Sequence, residues 1–158
     1  VASDDRNEVV QAFDEVLSRS GVHGALEFLN ARIPHRFTGV YRHDPPRMRN
    51  IHLFDRENPR LEVGGDVPMR ESYCSIVVGR DRPFRTGNAR EDEELRDHPS
   101  RESTLSYCGV PLRDPDGRAL GTLCHFDLES QEVFEAETGM LEAVMPRLVE
   151  RLRAEGAL

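Results

Sequence analysis

Residues 107–127, YCGVPLRDPDGRALGTLCHFD, restrict the fold of this chain more than any other stretch. Two short apolar runs flank Asp114-Pro115-Asp116-Gly117, where proline sets one backbone angle and glycine accepts a positive one. Both runs suit a pleated, half-buried surface, so the segment reads as a β-hairpin. Alternation then fixes which side chains share a face. Ser106, Cys108, Val110 and Leu112 form one row, and Leu120, Thr122, Cys124 and Phe126 form another. Both rows are mainly apolar and are expected to face one layer. Which row lines a pocket and which packs on helices stays open. Cys124 and His125, as neighbours on a strand, point to opposite faces.

The rest of the chain supplies partners for that hairpin. A helix is expected over 4–17, capped by Ser3, with Asp4 and Asp5 at its positive end and Val9, Ala12, Phe13, Val16 and Leu17 in one stripe. Ser20-Gly21 breaks the chain, and a second helix over 22–33 ends at Pro34. Segments 37–43 and 48–54 alternate as strands around Asp44-Pro45-Pro46, and 57–66 reads as loop. A short helix over 68–78 carries Met69, Tyr73, Cys74 and Val77, followed by a brief strand over 83–87 and a short helix over 90–97. Ser130 is the expected cap of a long last helix with Phe134, Leu141, Val144, Met145, Leu148 and Leu152 in a stripe; Pro146 predicts a kink or two abutting helices. This order gives an α+β layered domain covering residues 1–158.

Composition narrows the function. At 158 residues the chain is the size of one domain. A net charge of −8, with Glu91-Asp92-Glu93-Glu94 as the densest acidic run, argues against nucleic-acid binding. No apolar run approaches the roughly 18–20 residues of a membrane helix, and the first residues lack the pattern of a signal peptide, so a cytoplasmic location is expected. All 21 basic residues are arginine, as in proteins of GC-rich bacterial genomes. The three cysteines, Cys74, Cys108 and Cys124, are irregularly spaced without a CxxC, which fits neither a disulfide framework nor a common zinc pattern. Core packing is the favoured reading of these thiols, ahead of metal binding.

Four segments carry a family resemblance: 71–78 (ESYCSIVV), 83–99 (PFRTGNAREDEELRDHP), 106–112 (SYCGVPL) and 117–127 (GRALGTLCHFD). Together they resemble a GAF domain. The resemblance implies a central antiparallel sheet of about five to six strands, with terminal helices on one face and short helices and loops forming a pocket on the other. It also implies a non-catalytic module that binds an unidentified small molecule and serves bacterial signalling. Ligand would enter between the sheet and segments 68–78 and 90–97, with Tyr73, Cys74, Phe84, Tyr107, Cys108, Cys124 and Phe126 as walls. No cofactor is assigned. The helices over 1–20 and 130–155 are expected to form the bundle of a homodimer.

Two departures narrow the resemblance. Cyclic-nucleotide-binding members use a lysine-containing NKFDE-type signature, and this chain has no lysine. The free methionine-R-sulfoxide reductases need a nucleophilic cysteine and a resolving partner. Cys74 falls near one of their positions, but 83–103, where the catalytic cysteine is expected, contains none. A thiol-based redox enzyme or sensor is therefore the second reading. A degenerate scaffold for dimerisation or partner binding, its pocket plugged by Phe84, Tyr107 and Phe126, is the third.

Overall fold

A computed structural model describes residues 2–158, with side chains from Asp5 onward; the expected cap Ser3 and the Asp4 carboxylate lie outside the described side chains. Helix α1 spans Ala2–Asn30 and bends at Gly21, where φ is +74°. The sequence break at Ser20-Gly21 is thus a bend between segments 2–20 and 22–30. The helix ends at Asn30, short of Ile33, because Arg56 caps its last turn. The guanidinium donates to the carbonyls of Asn30 (2.7 Å), Ile33 (2.5 Å) and Pro34 (3.1 Å).

Strands β1 (Phe37–Asp44) and β2 (Arg47–Asp55) pair antiparallel, and a two-residue strand β3 (Val67–Pro68) adds to β2. The helix expected over 68–78 is interrupted. Ser72 adopts an extended conformation between a 3-10 turn, Met69–Glu71, and helix α2, Cys74–Arg80, and its hydroxyl accepts the Cys74 amide at 3.0 Å. Strand β4 is Phe84–Thr86. The helix expected over 90–97 is instead two 3-10 turns, Ala89–Glu91 and Glu93–Leu95. Asn88 and Asp92 each accept the amide two residues ahead, starting a new turn before an α-helix can propagate.

The hairpin forms as expected from β5 (Ser106–Arg113) and β6 (Ala119–Asp127). Gly117 takes φ +85° in its turn, and the Asp114 carboxylate accepts the amides of Asp116 and Arg118, both at 2.9 Å. The sheet order is β3-β2-β1-β6-β5-β4, antiparallel throughout. The last helix, α3, is Glu135–Ala154. Ser130 does not cap it: Asp127 accepts Glu129 N–H and Gln131 Nε2–H, while Gln131 N–H reaches the Gly87 carbonyl, holding 127–131 against the sheet end. Phe134 precedes the helix in extended conformation and is 61% exposed, outside the stripe. Pro146 lies within this one helix rather than between two.

Helices α1 and α3 cover one sheet face. Phe13, Leu26 and Leu29 of α1 and Leu141, Val144, Leu148 and Leu152 of α3 pack there with Val40, Cys108, Val110, Leu112 and Leu123. The opposite face packs a separate cluster of Tyr41, Met48, Tyr73, Cys74, Val77, Phe84, Leu95, Tyr107 and Cys124. No helix of the described residues is long and apolar enough to cross a membrane.

Candidate functional site

The β5–β6 register assigns each hairpin side chain to a face. Tyr107 pairs with Phe126, Cys108 with His125, Gly109 with Cys124 and Val110 with Leu123. Paired residues share a face. The Cys124 row therefore faces α2, while the Cys108 row faces α1 and α3, so the expectation that both rows face one layer is corrected. Cys108 is not a wall of the space on the α2 side. It lies in the helix-side core, where burial pushes its thiol up to about 12.

On the α2 side, Tyr41, Tyr73, Cys74, Tyr107, Cys124 and Phe126 surround a cavity of about 120 Å³. Val67, Glu71, Ser72, Ser100 and Thr104 complete its walls. Of the seven residues singled out from sequence, Tyr73, Cys74, Tyr107, Cys124 and Phe126 meet here. Phe84 stands behind them, its ring centroid 6.3 Å from Tyr73 and 6.2 Å from Tyr107, and backs both tyrosines without lining the space.

Hydrogen bonds hold these walls in place. The Tyr73 hydroxyl lies 3.1 Å from the Ser100 carbonyl and 2.8 Å from that of Thr104, pinning the irregular segment that closes one side. Ser100 Oγ donates to the Glu71 carbonyl at 2.5 Å, tying the same segment to the turn before α2. The Tyr107 hydroxyl donates to Cys74 Sγ at 3.2 Å. That geometry requires Gly109: a Cβ there would collide with the Tyr107 hydroxyl, which folds back over the position two residues ahead. Burial raises the hydroxyl pKa of Tyr41 and Tyr107 well above the ordinary value and that of Tyr73 to about 12, so all three remain neutral donors.

Sequence reasoning placed segment 68–78 beside the pocket but named only Tyr73 and Cys74 there, and it missed Tyr41, Val67 and the Ser100–Thr104 segment. Tyr41 belongs to an alternating strand whose facing partner is set only by the fold. Residues 98–105 have no periodicity. Three acidic residues outside the cavity have structural partners. Arg36 donates to both Asp55 oxygens at 2.8 and 2.9 Å, Asp127 accepts Arg36 N–H, and Asp92 caps a turn. His125 lies on the helix side between Thr38 Oγ1 (2.7 Å) and Glu137 Oε1 (3.0 Å). Among the described residues no group of three or more His, Cys, Asp or Glu is placed to hold a metal.

Two chemical properties define the cavity. It is well below the roughly 300–1,000 Å³ of pockets for drug-sized ligands, and Glu71 is its one formally charged lining residue. Among the described residues no arginine lines it, so they offer no cationic complement to phosphate.

The sequence matches no protein-family model. Over 90 residues it is 31% identical to a cyclic di-GMP phosphodiesterase of Pseudomonas aeruginosa; the match takes in 52% of this chain and 15% of that protein. The chain therefore spans a small part of that relative's length. Among solved structures, the GAF domain of an Acinetobacter phosphoenolpyruvate-protein phosphotransferase superposes with a TM-score of 0.69 at 20% identity, over 98% of this chain and 94% of that one. The corresponding domain from Coxiella burnetii gives 0.71 at 16% identity, over 97% of each chain. The free methionine-R-sulfoxide reductase from Neisseria meningitidis, solved with its substrate, gives 0.73 at 17% identity, over 97% of this chain and 92% of that one. At such identities the likeness is one of fold, and this fold hosts binding domains and an enzyme alike. By its architecture, the chain has a GAF-like α+β fold.

Proposed function

We propose that this domain is a sensory or regulatory module that binds a small, neutral or cationic molecule between α2 and the sheet without transforming it. The observation that carries the reading is the cavity itself, walled by neutral tyrosine hydroxyls and apolar rings with a single carboxylate at its rim. Apolar walls with a few oriented polar groups are the usual chemistry of small-molecule recognition. The volume of about 120 Å³ and the absence of arginine from the walls disfavour a cyclic dinucleotide, whatever the 31%-identical relative does. Catalysis in the manner of a methionine sulfoxide reductase has no support from the cysteine-free segment 83–103.

The reading extends to a cytoplasmic bacterial signalling protein that pairs as a homodimer through α1 and α3. The test is a thermal-shift screen with small amines, amides, alcohols and amino acids, run on the wild type and on Gly109→Ala, whose added methyl clashes with the Tyr107 ring that walls the cavity. The proposal expects a saturable rise in Tm for the wild type that the variant lacks. A rise retained by Gly109→Ala would put the binding outside this cavity, and none with any compound would favour the scaffold reading.

A further inference from the structure

Cys74 and Cys124 are fifty residues apart in sequence, on α2 and β6, yet their Sγ atoms lie 3.9 Å apart in the cavity wall. The two sulfurs are held differently. Cys124 Sγ lies 3.7 Å from the Gly39 carbonyl, and its one S–H can turn to that oxygen or to Cys74 Sγ. Cys74 accepts the Tyr107 hydroxyl at 3.2 Å. Burial pushes the Cys74 thiol up, but the Cys124 thiol and the hydroxyls of Thr122, Tyr107 and Ser72 outweigh it and bring it below the ordinary value. Burial and the adjacent Cys74 sulfur push Cys124 well up. One sulfur is prepared to become an anion while its neighbour keeps a proton.

Access and reach also fit. The rim residue Glu71 has a side chain 43% exposed, and Ser100 and Thr104 are half-buried, so the cavity communicates with solvent. A hydroperoxide is small against about 120 Å³. A disulfide needs the sulfurs about 2 Å closer. Side-chain rotation and a small shift of α2, only seven residues long, can supply that.

We propose that Cys74 and Cys124 form a reversible disulfide when a small hydroperoxide enters the cavity. The Cys74 thiolate attacks the outer peroxide oxygen, the O–O bond breaks, and the departing alkoxide or hydroxide takes up a proton. Cys74 is left as a sulfenic acid. Cys124 sulfur then attacks Cys74 sulfur; the S–S bond forms, the S–O bond breaks, and the leaving hydroxide takes the Cys124 proton as water. In sum, two thiols and one hydroperoxide give a disulfide, an alcohol or water, and a further water. The disulfide ties α2 to β6 and leaves the Tyr107 hydroxyl facing a neutral disulfide sulfur, a weaker acceptor. The site stands whether or not the cavity also holds a metabolite.

The test treats the reduced full chain with hydrogen peroxide, alkylates it under denaturing conditions and maps the cysteines by mass spectrometry. The expected product has lost two hydrogens, carries a Cys74–Cys124 cross-link, retains an alkylated Cys108, and is restored by dithiothreitol. Cys124→Ser should accumulate a dimedone-reactive sulfenic acid at Cys74. Tyr107→Phe should slow cross-linking by roughly ten-fold, the effect of about one pKa unit, whereas Cys108→Ser should leave the rate unchanged. A cross-link involving Cys108 would overturn the proposal. So would three free thiols after an exposure that oxidises the same chain in urea. The wild-type cross-link needs no substitution, so the folding of the variants does not decide the outcome.

Discussion

At Gly109 the backbone leaves the space in which the Tyr107 ring lies, and that ring delivers a hydroxyl to Cys74 Sγ. Substituting Gly109→Ala should displace the phenol, raise the Cys74 pKa and slow its alkylation by iodoacetamide several-fold at neutral pH; an unchanged rate would break the link between the two residues. A second residue-scale prediction concerns His35, which is 2% exposed beside His125 with a centroid distance of 6.1 Å. Burial, then the His125 ring and Arg56, push its pKa down to about 4, against upward pulls from Asp127 and Glu137. The unfolded chain takes up this proton near 6.5 and the native state near 4, so stability falls as pH drops through that window and levels off below it. The full loss is about 3 kcal/mol at most. His35→Phe should flatten most of that slope in urea titrations, leaving the smaller contributions of His52 and His98, whose pKa values burial also lowers. At this scale the sequence exposed Tyr73, Cys74, Tyr107, Cys124 and Phe126 as candidates, because strand and helix periodicity marks inward positions. It misassigned Cys108, because a strand's face has meaning only relative to its partner's register. Gly109 gave no signal, since the fold-back of Tyr107 is a rotamer choice made in three dimensions.

Among the elements, the hairpin, β1, β2 and the terminal helices were legible because each repeats its apolar pattern over at least two periods. The short pieces around the cavity were not. Residues 68–78 and 90–97 have helix-like spacing, but Ser72, Asn88 and Asp92 capture nearby amides and divide them into short turns. The beginning of α3 was misread for a similar reason, since Asp127 holds 127–131 before the helix can start. Within α3, Pro146 removes the donor for the Glu142 carbonyl in an otherwise continuous helix. Pro146→Ala should therefore raise stability by about 1–3 kcal/mol, read as a higher urea midpoint; a lower midpoint would show that proline packing outweighs the lost hydrogen bond. Leu148→Ala, at a fully buried site between α3 and the sheet, should cost about 2–5 kcal/mol while leaving Cys74 alkylation kinetics unchanged under native conditions.

Across the whole molecule, one sheet separates two environments. Its helix-covered face is an apolar core with a polar seam at His35, Thr38 and His125; its other face gathers tyrosines, thiols and the cavity. The apolar stripes of α1 and α3 are consumed by this core. The proposed pairing through these helices would use their outer faces, which are charged; there Asp14 of α1 and Arg147 of α3 pair with each other within the chain at 2.8 Å. An interface between charged faces is screened by salt, so the proposed dimer should weaken between low and high ionic strength in sedimentation equilibrium. A monomer at every salt concentration would remove the dimer from the account. The layered α+β order was readable from sequence, whereas the closure of the cavity by Ser100 and Thr104 was not, because irregular backbone carries no period. The most direct test of ligand sensing is a ¹H–¹⁵N chemical-shift titration of the full chain with the compounds of the thermal-shift screen. The account predicts saturable shifts clustered at Ser72, Cys74, Ser100, Thr104, Tyr107 and Cys124. Shifts confined to the outer surfaces of α1 and α3, or no saturable shift with any compound, would contradict it.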